Sequence, residues 1–453
     1  MTLLTAATLL ALALHAPAAP PTAQEVMALI SPDSCKALDE KLVSFGTRHT
    51  LSDTTSETRG VGAARRWIKQ ELESYIKASG GRLRVSLEEF EAPRGPRIPQ
   101  PTPVANVVAI LPGGMPEAAA RRYYVVGHYD SMPSNVNDPN SDAPGANDDA
   151  SGTVVVMEIA RVLSQLPPTD ATIVFLCTVG EEQGLVGAKY HADSAATRKE
   201  DIRAVLSNDI VGDPWGPGGD KTKTTKDRIR IFSEPFPRNA PAQELARIRN
   251  LGAENDSPSR ALARYIAEVA EKEKTAIRPM IIYRQDRFLR GGDHSAFNEA
   301  GFAAVRFTEV HEDYRHQHQT PRTEVGPDGT EIKYGDLPEH VDFPYLADVT
   351  RLNAAAIVHL ANAPSTPKNA RIITARLEYT TTLRWDKSPE PDTAGYEIVW
   401  RETTSPVWQH VKDVGDAAEA TIDESKDNVF FGVRAYDKDG YRSPVAFPNA
   451  SRE

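Results

Sequence analysis

Cysteine is nearly absent from this chain: Cys35 and Cys177 are the two in 453 residues. At most one disulfide is available to it, and two positions so distant in sequence do not establish one. Cys177 closes the run Thr172-Ile173-Val174-Phe175-Leu176-Cys177, which reads as a buried strand where a free thiol is an ordinary occupant. Long apolar runs are missing too, apart from the first residues. Nothing after them approaches the roughly 20 apolar residues of a membrane span, so no stable membrane insertion is expected. Positive charge is in deficit, with 52 Lys and Arg against 63 Asp and Glu and a net charge of −11. Phosphate backbones would be repelled, which removes nucleic acid as a general partner.

What remains is ordinary for a folded chain: 40% hydrophobic and 25% charged residues, at a length that suits two or three domains. The opening MTLLTAATLLALALHAPAAP is an apolar run ending in Ala16-Pro17-Ala18, an A-x-A pattern that reads as a secretory signal over residues 1–18. Its charged region lacks Lys and Arg, and the bland alternatives are a membrane anchor or an Ala/Pro tail. Export to a secreted or periplasmic location is the expectation.

From there to about residue 363, short apolar runs alternate with helical patterns. Val107 to Leu111, Tyr123 to Gly127, Ala171 to Thr178, Ala204 to Leu206, Pro279 to Tyr283 and Ala303 to Phe307 read as strands, and Val154 to Leu166 as a helix. Continuous apolar strands between helices predict a mostly parallel mixed sheet covered on both faces, an α/β class with three α/β/α layers. Such sheets hold ligands beyond the carboxyl ends of their strands. Residues from Pro214 to about Ser257 read as an insertion carrying one strand and a solvated basic run. Pro364-Ser365-Thr366-Pro367 marks a linker, after which residues 364–453 show five short strands with the spacing of a β-sandwich.

The polar residues gather where that sheet would put a ligand. His128 follows the strand ending at Gly127, and Asp130 is placed to accept its other ring N–H and fix the tautomer. Gly145-Ala146-Asn147-Asp148-Asp149-Ala150-Ser151-Gly152 precedes the helix. A cap accounts for one acid or serine there, whereas an Asp held in a non-helical turn can bridge two cations. Gly180-Glu181-Glu182 follows the strand ending at Thr178, so one glutamate can bind metal while the other moves a proton. Asp209 follows the next strand, and the last leads to a loop containing His316 and His318. Each piece alone has an ordinary surface or capping role. Together they form a nitrogen and carboxylate donor set that suits zinc.

These motifs, with Asp293-His294-Ser295-Ala296-Phe297, make the chain resemble the M28 family of zinc metallopeptidases over roughly residues 35 to 362. The resemblance implies a phosphorylase/hydrolase-like fold and two Zn2+ ions. It also implies His128, Glu182, Asp209 and a late histidine as ligands, Asp148 as the bridge and Glu181 as general base. The family's Tyr-His is followed shortly by Asp-Thr. Here Tyr314 precedes Arg315 and Thr320 stands at the Asp position, which favours His316 over His318. The last segment resembles a fibronectin type III module through Leu383-Arg384-Trp385, Gly395 to Ile398 and Val433 to Asp437, with Val429 where that family usually has tyrosine.

The expected activity is that of a two-zinc exopeptidase, an aminopeptidase acting on peptide or protein substrates. In it Glu181 takes a proton from a metal-bridging water. The competing expectations are a single-zinc enzyme resembling glutaminyl cyclase and a non-catalytic binding protein on the same fold. The C-terminal module leaves a polymer or cell-surface ligand as a further partner.

Overall fold

A computed structural model describes residues 19–238 and 240–452, so the signal segment expected over residues 1–18 lies outside the described residues. In chain order the first strands are β1 (Arg84–Ala92), β2 (Thr102–Leu111), β3 (Arg121–His128), β4 (Thr172–Thr178) and β5 (Asp201–Asn208). A small hairpin of β6 (Trp215–Gly216) and β7 (Asp220–Thr224) follows, then β8 (Arg228–Ser233), β9 (Arg278–Ile282) and β10 (Ala304–Thr308). Eight of these form one sheet in the order β1-β2-β4-β3-β5-β10-β8-β9. Its centre, β4-β3-β5-β10, is parallel, while β1 and β2 are antiparallel to their neighbours and β8 is antiparallel to β10. Every residue of β4 is buried, as a strand covered on both faces requires.

The helices are α1 (Ala23–Leu29), α2 (Pro32–Val43), α3 (Gly60–Ser74), α4 (Ser151–Ser164), α5 (Val186–Thr197), α6 (Ala242–Leu251), α7 (Pro258–Glu273), α8 (Asp293–Glu299) and α9 (Phe343–Asn362). Side chains of α1 to α4, α7 and α9 share one core with Val125, Phe175 and Leu206. Those of α5 and α8 share the opposite core with Tyr124, Val126, Leu176 and Val205. Alternate residues of the same strands therefore feed two cores, and the three-layer α/β/α expectation holds. Local signals set the helix starts: Ser257 and Asp342 accept backbone N–H bonds as caps, with Pro258 and Pro344 in the first turns.

The segment read as an insertion carries the one strand expected of it, and that strand, β8, pairs with both β10 and β9 in the main sheet. The two cysteines are separate buried thiols, not a disulfide.

The remaining strands, β11 (Arg322–Val325) and β12 (Glu331–Tyr334), form a hairpin after the histidine loop. The C-terminal part comprises β13 (Lys368–Ile373), β14 (Thr381–Asp386), β15 (Thr393–Glu402), β16 (His410–Asp413), β17 (Glu419–Ile422), β18 (Val429–Asp437) and β19 (Asn449–Ser451). Sheets of four and three strands enclose one core containing Leu383, Trp385, Tyr396, Ile398 and Phe431. This sandwich is fixed to the α/β part by charge as well as packing. Asp256 lies between Arg264 at 3.2 Å and Arg401 at 2.7 Å, with all three side chains 2% exposed or less. Both guanidiniums also stand over Trp408, so the two arginines share one carboxylate and are covered by an aromatic face where they meet.

Candidate metal centre

The four parallel strands deliver polar residues to the same edge of the sheet. Strand β3 ends on His128, β4 leads to Glu181 and Glu182, β5 to Asp209, and β10 to the loop carrying His318. The start of α4 lies close against this end of the sheet because Gly127 of β3 abuts it. A Cβ on Gly127 would fall 2.5 Å from the carbonyl carbon of Gly152. A Cβ on Gly152 would in turn overlap the carbonyl oxygen of Asn208 and the Asp149 carboxylate.

The acidic turn before α4 is held by backbone contacts. Asp148 and Asp149 have non-helical φ/ψ, and the peptide bond between them is cis. The Asp336 carboxylate accepts from the amides of Asn147 and Asp148, each at 2.7 Å. Arg48, fully buried, donates to the carbonyls of Tyr129, Pro144 and Gly145. Asp149 accepts from the amides of His128 at 3.0 Å and Gly152 at 2.9 Å, leaving Asp148 turned to the cluster.

Two groups of donor atoms result, His128/Asp148/Asp209 and Asp148/Glu182/His318, each with its atoms within 4.8 Å of one another. His128 Nε2 lies 3.4 Å from Asp148 Oδ1 and 3.8 Å from Asp209 Oδ1. His318 Nε2 lies 2.8 Å from Asp148 Oδ2 and 3.2 Å from Glu182 Oε1. The two groups share Asp148. His316, the histidine favoured from spacing, does not join them. Its ring stacks on His340 with centroids 3.5 Å apart, and its Nδ1 is 3.7 Å from Asp313. The chain turns again after His316, with His318 at φ 53°, and it is His318 that stands beside Asp148 and Glu182.

Asp130 sits as expected behind His128, with its carbonyl 3.2 Å and its carboxylate 3.5 Å from Nδ1. The carboxylate also accepts from the amides of Glu181 and Glu182 at 3.3 and 3.2 Å, and from Thr50. It thus ties the histidine of one strand end to the glutamates of the next. Glu181 lines a cavity of about 470 Å3 together with Asp148, Glu182, Asp209 and His318.

The site's electrostatics call for cations. Burial opposes charge on His128, yet Asp149, Asp130, Asp148 and Asp209 together push its pKa well up. His318 is half-buried, and the lowering effect of burial is outweighed by Glu182 and Asp148, which raise its pKa. Asp209 is buried but held down by Arg306 and His128, whereas burial and then Asp209, Glu182 and Asp293 drive Glu181 up against the pull of His128. His128 Nε2 and Glu182 Oε1 are buried without a hydrogen-bond partner. Orphan donor atoms among excess carboxylate, two imidazoles included, fit zinc.

The pattern of peptidase family M28 matches residues 106–328, which contain every residue of both groups. A probable zinc metalloprotease of Leptosphaeria maculans is 45% identical over 432 residues, covering 95% of this chain and 98% of its own. One of Pyricularia oryzae is 43% identical over 430 residues, covering 94% and 84%. This chain belongs to peptidase family M28. The family fold is visible in solved structures as well. LapB of Legionella pneumophila gives a TM-score of 0.51 at 19% identity, covering 75% of this chain and 74% of its own. The aminopeptidase of Aneurinibacillus sp. strain AM-1 gives 0.50 at 15%, covering 75% and 96%.

Several residues of this M28 site escaped the sequence reading. Arg306, fully buried in β10, forms an ion pair with Asp209 at 2.9 Å and donates to Asp286 at 3.3 Å. A lone arginine inside an apolar strand is a readable signal, because a buried charge needs a partner. Gln317 donates to Asp148 Oδ2 at 3.0 Å. Asp336 and Arg48 had no local signal, since their partners lie far along the chain. Asp293 and His294, which the family motif does name, are buried in the first turn of α8, where Asp293 bonds Thr178 and His294 bonds the Gln285 carbonyl.

Proposed function

We propose that this chain is an exported two-zinc aminopeptidase, removing N-terminal residues from peptides. The observation that carries the reading is the pair of donor groups joined through Asp148. His128 and Asp209 would hold one ion, Glu182 and His318 the other, and Asp148 both. Bound there, zinc supplies Lewis acidity that polarises a carbonyl and lowers the pKa of water.

The protein's own residues supply the rest. Asp130 orients His128 through Nδ1 and steadies the Glu181-Glu182 turn through its amides. Glu181, facing the cavity, takes a proton from the attacking water and returns it to the leaving amine as the C–N bond breaks. The buried carboxylates offer a charged partner to a free substrate N-terminus, which favours cleavage at that end. Export rests on the apolar start and its A-x-A pattern. The C-terminal sandwich is read as a fibronectin type III-like accessory domain, open to a polymer or surface ligand.

Aminoacyl anilides and their N-acetyl counterparts, assayed with chelator and zinc add-back, test this. We expect zinc-dependent cleavage of the free-amine series alone, with two zinc ions per chain by metal analysis. Cleavage of blocked substrates would reassign the peptidase class. No cleavage of either by folded, zinc-loaded protein would favour a cyclase or a binding role.

A further inference from the structure

The cavity at the metal centre is lined on part of its wall by arginine. Arg287 and Arg290 line it together with Asp148, Glu181, Gln317 and His318, and Arg97 lines it too. The positive charge here is only partly balanced by the acids beside it. Three guanidiniums share the single carboxylate of Glu312: Arg230 at 2.8 Å, Arg287 at 2.6 Å and Arg290 at 2.7 Å. Glu312 is 4% exposed and its pKa is lowered, burial being outweighed by Arg287, Arg230 and Arg306. Asp286 neutralises one more charge, but it is itself shared between Arg287 and Arg306. Arg306 is paired with the metal donor Asp209 at 2.9 Å, so three arginines (230, 287 and 290) are left facing Glu312 and a share of Asp286. Arg287 uses Nε for Asp286 and Nη1 for Glu312, whereas Arg290 makes its bonds to Glu312 and Gln317 through Nη1, so Arg290 is the guanidinium that suits a bidentate anion and Arg287 adds charge beside it.

Position defines which anion. Arg290 contacts Gln317 at 3.3 Å, and Gln317 contacts Asp148 at 3.0 Å. One amide side chain therefore separates this guanidinium from the shared metal donor. An extended residue advances the chain by about 3.3–3.6 Å, so a group within one residue of the scissile bond can reach it. We propose that Arg287 and Arg290 bind a substrate carboxylate, making this a site for acidic N-terminal residues or for very short peptides with a free C-terminus. This rests on the aminopeptidase reading above. The acidic part of the cavity takes the amine and the arginine part the carboxylate.

Two substrate pairs separate the sources: glutamyl against glutaminyl anilide, and a dipeptide against its C-terminal amide. With the zinc-loaded full chain, kcat/KM should favour the carboxylate member of at least one pair by about tenfold or more. Arg290→Gln should abolish that preference mainly through KM, and Arg290→Lys should restore part of it. Arg287→Gln serves as the second variant if thermal unfolding shows the first misfolded. Equal rates within both pairs, or a preference untouched in folded variants, would overturn the proposal and mean that the arginines only balance the metal donors. Calorimetric binding of L-glutamate against L-glutamine separates this from the aminopeptidase reading. Tighter glutamate binding by an inactive protein sinks that reading and keeps this one. Indifferent binding by an enzyme with equal rates does the reverse.

Discussion

At the scale of single residues, His316 and His318 show where spacing stops being informative. They flank Gln317 in an irregular loop, and no periodicity says which imidazole faces the sheet. The backbone turns here, so that Gln317 and His318 both address Asp148 while His316 stacks on His340. His128, Asp148, Glu182 and Asp209 were legible because each follows a strand end or precedes a helix start. Arg48, Asp336 and Arg306 act across long sequence separations and leave a weaker local trace. His318→Ala should lose one zinc equivalent and lower kcat/KM by more than about 100-fold, exceeding the usual cost of a residue behind the ligands. His316→Ala should keep both metals and lose about 1 kcal/mol from its aromatic contact. Metal analysis with steady-state kinetics decides this, and the opposite pattern would restore His316 as donor.

At the scale of elements, the central strands were readable because burial on both faces demands continuous apolar runs. The first strand was not, because Arg84 to Ala92 alternates charge with apolar residues along an edge of the sheet. In the sandwich, β13 and β19 pair with each other in the four-stranded sheet, and neither carries a long apolar signal. The read strand from Ala375 to Trp385 shortens to β14, and that from Val407 to Val411 becomes β16. The glycines in the motifs, by contrast, have a physical reason within the elements. Gly127 lets the end of β3 touch the start of α4, so that His128 and Asp148 converge. Gly127→Ala would force that contact apart and should cost about 1–3 kcal/mol, the usual range for overpacking. Urea unfolding of the zinc-loaded protein measures it, and an unchanged midpoint would mean the helix start yields without cost.

At the scale of the whole molecule, the sandwich and the α/β part meet through charges that sequence patterns could not pair. The linker was visible, but the Arg264-Asp256-Arg401 contact joins residues from both sides of it. The same junction also carries repulsion. Asp170, just before β4, faces Asp392, Asp437 and Asp439 of the sandwich, with Arg121 as the opposing charge. Burial first, then those carboxylates, raises Asp170 to about 7, and burial also raises Asp437 to about 6. A folded pKa above the unfolded one, near 4, means that folding takes up a proton. The resulting stability is complete below about pH 4 and is lost as pH rises through 7. Asp170→Asn removes the charge without changing the side chain's shape. Its Tm should exceed that of the parent at pH 8.5 by on the order of 1–3 °C, and the gap should shrink as pH falls through 7 toward 4.5. Because the two proteins are compared at each pH, proton-linked loss of zinc acts on both and cancels. A gap of constant size across that range would show that the carboxylate does not titrate across the junction. A gap that closes would place the acidic cluster at the seam as a source of tighter domain contact in mildly acidic surroundings.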